Sequence, residues 1–345
     1  PVVFGIVFIV FMLARVLPGD PCVATLGERA TVEQCELFRD RMGLNEPLPV
    51  QFVVYLQQVA SGDLGESVKF GRPVTELIML RLPTTLELSF YALLLATLVG
   101  IPLGIISAYR RNSKTDVGTM VFANLGVSIP VFVLGLVLAY VFGVMLKDTP
   151  FALPPSGRLG SGVRAIPLVE AWGLEGLEGP PRAALDFLSG FLTISTLITF
   201  QWEAFVDSVR HLILPVIALA TIPMAIIARI TRSSLLDVLG SDYVRTARAK
   251  GLSDRPVVMR HAFRNAVLPV VTIVGLQIGI LLGGAVLTET VFGLAGVGRT
   301  VFQAIASRDY VVIQGFTLVI AIGFLVVNLL VDISYAYLDP RVRLD

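Results

Sequence analysis

The chain reads as an all-α integral membrane protein of about six transmembrane helices, and three observations predict this. Of its 345 residues, 55% are hydrophobic and 15% charged, whereas a soluble domain carries about 25% charged residues. Mean hydropathy is +0.80. The apolar residues are gathered into runs close to the roughly 20 residues that a bilayer-spanning helix needs. Lipid offers the backbone no partners, so such a run must be a helix or part of a closed barrel. These runs are too long and too uniformly apolar for barrel strands, which alternate over about ten residues.

The first run ends at Val16 and opens at Pro1 without a methionine, so its span is expected to begin before this chain does. The remaining runs cover residues 86–108, 117–146, 211–230, 266–287 and 311–338. The 117–146 run is interrupted by Ser128-Ile129-Pro130, and the 211–230 run carries Pro215 and Pro223. The organisation is then a first helix at 1–16, an extracytoplasmic segment at 17–85, a transmembrane core at 86–338 with a connection at 231–265, and a tail at 339–345. Residues 187–200 are apolar enough to suggest a further span. That stretch is short, rich in Ser and Thr and follows Asp186, so it is expected to be an amphipathic surface helix.

Orientation follows from the basic residues. The second connection holds Arg110, Arg111 and Lys114; the fourth holds Arg229, Arg232, Arg245, Arg248, Lys250, Arg255, Arg260 and Arg264; the tail holds Arg341 and Arg343. Six crossings put all three on one side, and the positive-inside rule makes that side cytoplasmic. Both termini are then inside, and the long connections 17–85 and 147–210 are outside. Net charge is only +1, which gives no basic field directed at nucleic acid.

The first outer connection is expected to hold a small folded unit, because Thr31 and Gln34 stand at capping-box spacing and residues 31–42 are helix-compatible. Cys22 and Cys35 both lie on the oxidising side. They either pair with each other or remain two free thiols. With His211 and His261 as the only histidines, the chain has too few soft ligands for a Cys/His metal cage.

The most informative stretch is 240–269. Ser241 suits an N-cap and Asp242 the positive end of a helix dipole. Lys250 stands at the other end, Gly251 suits the left-handed position after a helix, and Leu252 is placed to pack back. Ser253 is expected to cap a second short helix that carries Pro256 in its first turn. Ala247 and Ala249 keep the surface low enough for a partner to approach. Arg245, Thr246, Ala247, Arg248, Ala249, Lys250, Gly251 and Leu252 are therefore the candidate docking residues; the plain alternative is a basic loop that only holds topology.

This stretch resembles the cytoplasmic EAA loop of ABC importer permeases, in the form found in dipeptide, oligopeptide and nickel permeases. The pattern's Glu-Ala-Ala falls on Arg245-Thr246-Ala247, its Gly on Gly251 and its Leu-Pro on Leu268-Pro269. The Arg in place of Glu, and the longer interval to Leu-Pro, are similar to the peptide subclass. The resemblance extends through Leu17-Pro18-Gly19-Asp20-Pro21, Gly62-Asp63-Leu64-Gly65, Pro73-Val74 and Arg81-Leu82-Pro83-Thr84-Thr85-Leu86-Glu87. It continues in Glu289-Thr290-Val291-Phe292, Gly296-Val297-Gly298, Arg308-Asp309-Tyr310, Gln314-Gly315 and Asp339-Pro340-Arg341. It implies a type I ABC importer permease fold in a bacterial or archaeal plasma (inner) membrane. It implies a second homologous permease, two cytoplasmic ATPases that carry ATP and Mg, and an extracytoplasmic solute-binding protein. This chain is then a transport subunit without a cofactor of its own, and its solute is a peptide or peptide-like.

Gly293, Gly298, Arg299 and Thr300 fit phosphate-loop spacing with Arg for Lys, but a true phosphate loop follows a strand and faces cytosolic nucleotide. Here the glycines are expected to allow a tight outer hairpin or a re-entrant turn. Gly275, Gly279 and Gly283 recur every four residues, a spacing that lets helices approach closely. Asn124, Gln277, Asn328 and Asp332 are polar at membrane depth, where such groups avoid lipid and face the bundle or a solute path. Two other functions are weighed. An intramembrane hydrolase needs a nucleophile and base within reach, and no Gly-x-Ser-x-Gly elbow is present. An ion-coupled secondary transporter often shows inverted repeats and midplane charge, and neither stands out.

Overall fold

The computed structural model describes residues 2–16, 22, 30–41 and 43–338. The Leu17–Pro21 motif, Asp339-Pro340-Arg341, Arg343 and Met42 lie outside the described residues. The helices, in chain order, are α1 (Val2–Val16), α2 (Val32–Arg41), α3 (Leu48–Ser61), α4 (Val74–Tyr109), α5 (Lys114–Ser128), α6 (Val131–Tyr140), α7 (Leu168–Ala171), α8 (Pro180–Ser189) and α9 (Leu192–Ile198). They continue with α10 (Trp202–Leu239), α11 (Asp242–Ala249), α12 (Phe263–Val291), α13 (Val297–Ala306) and α14 (Tyr310–Leu338). A two-residue hairpin pairs β1 (Glu66–Ser67) with β2 (Arg72–Pro73), antiparallel.

Among the described residues, four helices are long and apolar enough to cross a membrane: α4, α10, α12 with its lead-in, and α14. The pair α5 and α6, bent by 96°, makes a fifth if it is one span. The break falls where the sequence places it: Ile129 is extended, at φ −97 and ψ 124, as a residue before proline prefers. The described part of the first run, α1, has 15 residues, which rise ~22 Å at 1.5 Å each.

Two boundaries differ from the sequence reading. Helix α4 begins at Val74 and runs through Pro83, so residues 74–85 continue a spanning helix and are not loop. Arg81, Pro83 and the two threonines look like a connection, yet Thr84, Thr85 and Glu87 are buried. Helix α10 likewise extends from Trp202 to Leu239, well beyond 211–230 at both ends. No seventh span exists at 187–200, where α8 and α9 are short. Helix α9 buries Thr193, Ser195 and Thr196 and exposes Ile194, Leu197 and Ile198.

Helix α10 is the centre of the bundle. Its Leu212, Leu214, Ala218, Leu219 and Ile227 pack with Leu88, Ala92 and Ala96 of α4 and with Val270, Leu281 and Ala285 of α12. The contact with α4 is backbone-close. A Cβ on Gly100 would lie 2.8 Å from the Met224 carbonyl oxygen, and one on Gly104 would lie 2.5 Å from that of Ala228. The glycines of α12 behave alike at two positions: a Cβ on Gly275 would lie 2.2 Å from Val331 and one on Gly279 2.1 Å from Phe324, both in α14. Gly283 meets nothing within 4 Å.

The two ends of the bundle are distinct. The cap end gathers the hairpin, the connection that carries α7–α9, and α13. The basic end gathers the α4–α5 turn, α11 and the start of α12. Near the N-terminus, Thr31 donates its N–H to Gln34 Oε1 at 3.0 Å and Gln34 returns one to Thr31 Oγ1 at 3.3 Å, which is the capping box. Cys22 and Cys35 are bonded to each other, with Cα atoms 5.3 Å apart.

Candidate coupling site

Helix α11 sits at the basic end, on a seat made by several elements. Its Val244 and Ala247 point inward, to a cluster with Ala108 of α4, Leu235 of α10, Val257, Val258 and Ala262 of the lead-in, and Ala266 of α12. They are 0% and 7% exposed, as the three-residue spacing on one helix face requires. The outward side carries Tyr243, Arg245, Thr246, Arg248, Ala249 and Lys250. Asn265 Nδ2 donates to Tyr243 Oη at 2.7 Å, which ties that side to α12. Arg245 with Asp242, at 3.4 Å, and Arg248 with Asp254, at 3.6 Å, are exposed ion pairs. Such pairs are worth about 0–1 kcal/mol, so the guanidinium groups remain open to a partner.

Gly251 has φ +81, the left-handed conformation that glycine adopts without steric cost. Its N–H donates to the Arg248 carbonyl at 2.9 Å.

Four details correct the sequence reading. Ala247 faces the interior, so of the two small residues only Ala249 lies on the exposed surface. Leu252 is 42% exposed and does not pack back; an apolar side chain is left on the surface beside the basic one. Ser241 occupies the N-cap with extended backbone, yet its side chain makes no capping bond. The second short helix is absent as a unit. A single turn, Asp254–Pro256, passes through a π-helical segment, Val257–Ala262, directly into α12, because nothing after Pro256 breaks the helical ladder.

The polar residues at membrane depth do not converge. Asn124 is exposed, and its Oδ1 accepts from Arg229 Nη2 at 3.3 Å. Gln277 is buried, with Oε1 unpartnered. Asn328 is half-buried, and the Asp332 side chain lies outside the described residues. Among the described residues no hydrogen bond joins Asn124, Gln277 and Asn328, and no three His, Cys, Asp or Glu side chains are placed to hold a metal.

Sequence reasoning missed two polar networks. At the basic end, Arg232 of α10 grips Asp116 of α5 with both arms of its guanidinium: Nε to Oδ1 and Nη2 to Oδ2, each 2.9 Å. Ser107 Oγ donates to the same carboxylate, and the Asn112 N–H does so at 2.9 Å. The one available signal was Ser113 ahead of Asp116 at cap spacing; Ser113 Oγ accepts from Asp116 N–H at 3.2 Å. At the cap end, Arg158 pairs with Glu87 and donates to Thr84 Oγ1 at 3.0 Å and to the Gly190 carbonyl at 2.9 Å. Thr193 N–H donates to Glu87 at 2.7 Å.

The phosphate-loop look-alike is filled by the chain itself. Glu289 Oε2 accepts the N–H of Arg299 in the first turn of α13 at 2.9 Å, and its Oε1 accepts from Thr85 Oγ1 at 2.5 Å. An internal carboxylate thus occupies the helix N-terminus that a phosphate would use. A Cβ on Gly296 would lie 2.3 Å from that carboxylate, which accounts for glycine there.

Residues 100–344 match the family described as the binding-protein-dependent transport system inner membrane component. Residues 2–89 match the N-terminal region of such membrane components. The dipeptide transport system permease protein DppB of Alkalihalophilus pseudofirmus is 42% identical over 343 residues, which are 99% of this chain and 96% of that one. The di/tripeptide transport system permease protein DppB of Pseudomonas aeruginosa is 44% identical over 344 residues, 99% of this chain and 95% of the other. The dipeptide transport system permease protein DppB of Escherichia coli is 42% identical, with the same coverage of 99% and 95%.

Proposed function

The chain belongs to the inner membrane components of binding-protein-dependent transport systems and is a permease subunit of a peptide ABC importer; from that premise we propose that its cargo is a short peptide and that α11 is where ATP hydrolysis is coupled to transport. As a family of transport components, it works with a binding protein and other ABC subunits. The assembly proposed is a second homologous permease, two cytoplasmic ATPases holding ATP and Mg, and an external binding protein. The basic end then faces the cytoplasm, in keeping with the positive-inside rule, with both termini on that side. The cap end faces outward, where the disulfide between Cys22 and Cys35 suits the oxidising compartment.

One observation carries the coupling role. Helix α11 rests at once on the ends of α4, α10 and α12, so a displacement applied to its outer face reaches three spanning helices. The exposed Arg245, Thr246, Arg248, Ala249, Lys250 and Leu252 offer an ATPase groove a basic rim with one apolar contact, and Gly251 sets the exit of the helix. Arg245 stands where the broader family pattern has Glu, so the contact on the ATPase is acidic or a carbonyl acceptor.

The test uses the complete importer in proteoliposomes. Ala249→Trp adds bulk on the outward face, and Gly251→Val resists the left-handed backbone there. Each is expected to lower peptide-stimulated ATP hydrolysis and uptake about tenfold, the equivalent of ~1.4 kcal/mol of docking energy, in complexes that still insert and still capture the loaded binding protein. Normal stimulation and uptake in both would reduce α11 to a topological loop. Cargo is settled separately, by screening peptides of two to five residues against the cognate binding protein.

A further inference from the structure

We infer that α5, the basic half of α10 and α11 move as one rigid body during transport, that Asp116–Arg232 is the clamp that holds this body together, and that Ile129-Pro130 is its hinge. The clamp is a built feature. Asp116 is buried, both of its oxygens are engaged by the two arms of Arg232, and it takes further bonds from Ser107 and the Asn112 N–H. A planar guanidinium on a carboxylate fixes orientation as well as distance, so α5 cannot rotate against α10 while it is made.

The clamp does not act alone. Moving along α5, Ala123 is buried with Ala225 and Ala228 of α10, and Asn124 accepts from Arg229. A Cβ on Gly126 would lie 2.9 Å from that of Thr221. Helix α5 therefore lies against α10 from Asp116 to Gly126. Arg232 in turn stands in the unbroken stretch of α10 that ends at Leu239, just before α11.

Beyond the break α6 keeps α10 as a partner and gains α12. Val131, Leu138 and Ala139 of α6 pack with the cluster that contains Phe292 and Leu294. A Cβ on Gly135 would lie 3.1 Å from the Phe292 ring, and the Phe292 carbonyl accepts from the Gly157 N–H at 2.9 Å. Helix α6 thus adds the cap end of α12 to the partner it shares with α5, and Pro130 lacks the N–H that would have continued the ladder between them. A bent pair with one half also fixed to α12 bends further, or less, when α12 moves against the clamped part of α10.

The transport part of this inference rests on the coupling role of α11. In the reconstituted importer, Asp116→Asn keeps the shape of the side chain and removes its charge. We expect peptide taken up per ATP hydrolysed to fall at least about fivefold in assembled complexes, a loss of ~1 kcal/mol of coupling. A purely structural pair would change the yield of complex and leave that ratio as it was; an unchanged ratio overturns the clamp. If the variant does not assemble, Gly126→Cys with Thr221→Cys decides. The two native cysteines are bonded to each other, so the engineered pair is the reactive one. Oxidised and reduced samples should transport equally if α5 and α10 move together, and loss of uptake on oxidation refutes it. The two readings fail separately. Normal transport by Ala249→Trp and Gly251→Val, with transport intact after cross-linking, sinks the docking role and keeps the rigid body. The opposite pair of results keeps docking and sinks the rigid body.

Discussion

The cap end and the basic end of this bundle are held by different chemistry. At the cap end three buried carboxylates, Glu87, Glu289 and Asp309, each tie together segments far apart in the chain. Glu87 joins α4 to Arg158 and α9; Glu289 joins α12 to Thr85 and α13. Asp309 joins the start of α14 to Ser67 at 2.6 Å and to the Lys69 N–H at 3.2 Å in the hairpin region. Most of these donors are neutral hydroxyls and backbone N–H groups, which satisfy a carboxylate without importing a second buried charge. At the basic end a single carboxylate, Asp116, does this work, and apart from the Asn265–Tyr243 hydrogen bond α11 is seated on apolar side chains. A polar staple with its donors preassembled is costly to open, because each group left behind is buried and unpaired. An apolar seat strands no unpaired polar group when it opens. The cap end is thus built to stay shut around its loops, and the basic end is built to move around a single staple.

The strongest way to break this comparison is at Glu87. Glu87→Ala strands Arg158 beside Thr84 and leaves the Thr193 N–H and hydroxyl without their acceptor. Removing one partner of a buried pair costs about 3–5 kcal/mol. The apparent melting temperature of the detergent-solubilised importer should fall more for this variant than for any other named here. A fall no larger than that caused by disturbing α11 would mean the cap end is not the better-fastened one.

A smaller effect is expected where the two ends meet, along the glycines of α12. At Gly275 an added methyl meets both Cγ atoms and the Cβ of Val331, and a β-branched side chain has no free rotamer to retreat to. At Gly279 it meets the edge of the Phe324 ring, which is 40% exposed and so has more room to give. At Gly283 it meets nothing. Overpacking costs about 1–3 kcal/mol, and relieving a helical glycine returns about 1 kcal/mol. Thermal stability should therefore fall for Gly275→Ala, fall less for Gly279→Ala and hold or rise for Gly283→Ala. Equal losses at all three would show that the helices are uniformly close, with no relaxation toward the cap end.

Much of this was legible in the sequence, for identifiable reasons. Apolar runs locate spans because lipid leaves the backbone one way to satisfy itself. Gly251, the Thr31–Gln34 box and the Ser128–Pro130 break follow from local backbone rules, which need no knowledge of the fold. The failures share a cause, namely that burial in the assembled bundle overrode local appearance. Arg81, Pro83, Thr84 and Thr85 read as connection, yet α4 passes through them because Thr84, Thr85 and Glu87 find partners more than seventy residues away. The Asp116–Arg232 pair spans 116 positions, a separation at which composition and periodicity carry no signal. Ala247 was misplaced for a simpler reason. Its three-residue offset from Val244 already put both on one face, and that face turned out to be the inner one.

That inner face supplies the smallest expected effect, and the one that separates local from global stability. Ala247→Trp places a large ring where Ala108, Leu235, Val257 and Ala262 close around a methyl group. The ring cannot be accommodated there without overpacking, and α11 is short and joined to the bundle through Gly240 and Gly251. The low-cost response is for α11 to lift off as a unit while α4, α10 and α12 keep their mutual packing, a local opening of the kind that hydrogen exchange and proteolysis detect. Trypsin should then cut faster after Arg245, Arg248 and Lys250, all of which are already on the exposed side. The melting temperature should move by no more than about 2 °C, within the few degrees that ~1 kcal/mol produces in a domain of this size. Ala249→Trp, on the opposite face, should leave both measurements at the unmodified values while still impairing coupling. A drop in melting temperature for Ala247→Trp comparable to that of Glu87→Ala would show that the seat of α11 belongs to the cooperative core, and the two ends would then differ in chemistry without differing in strength.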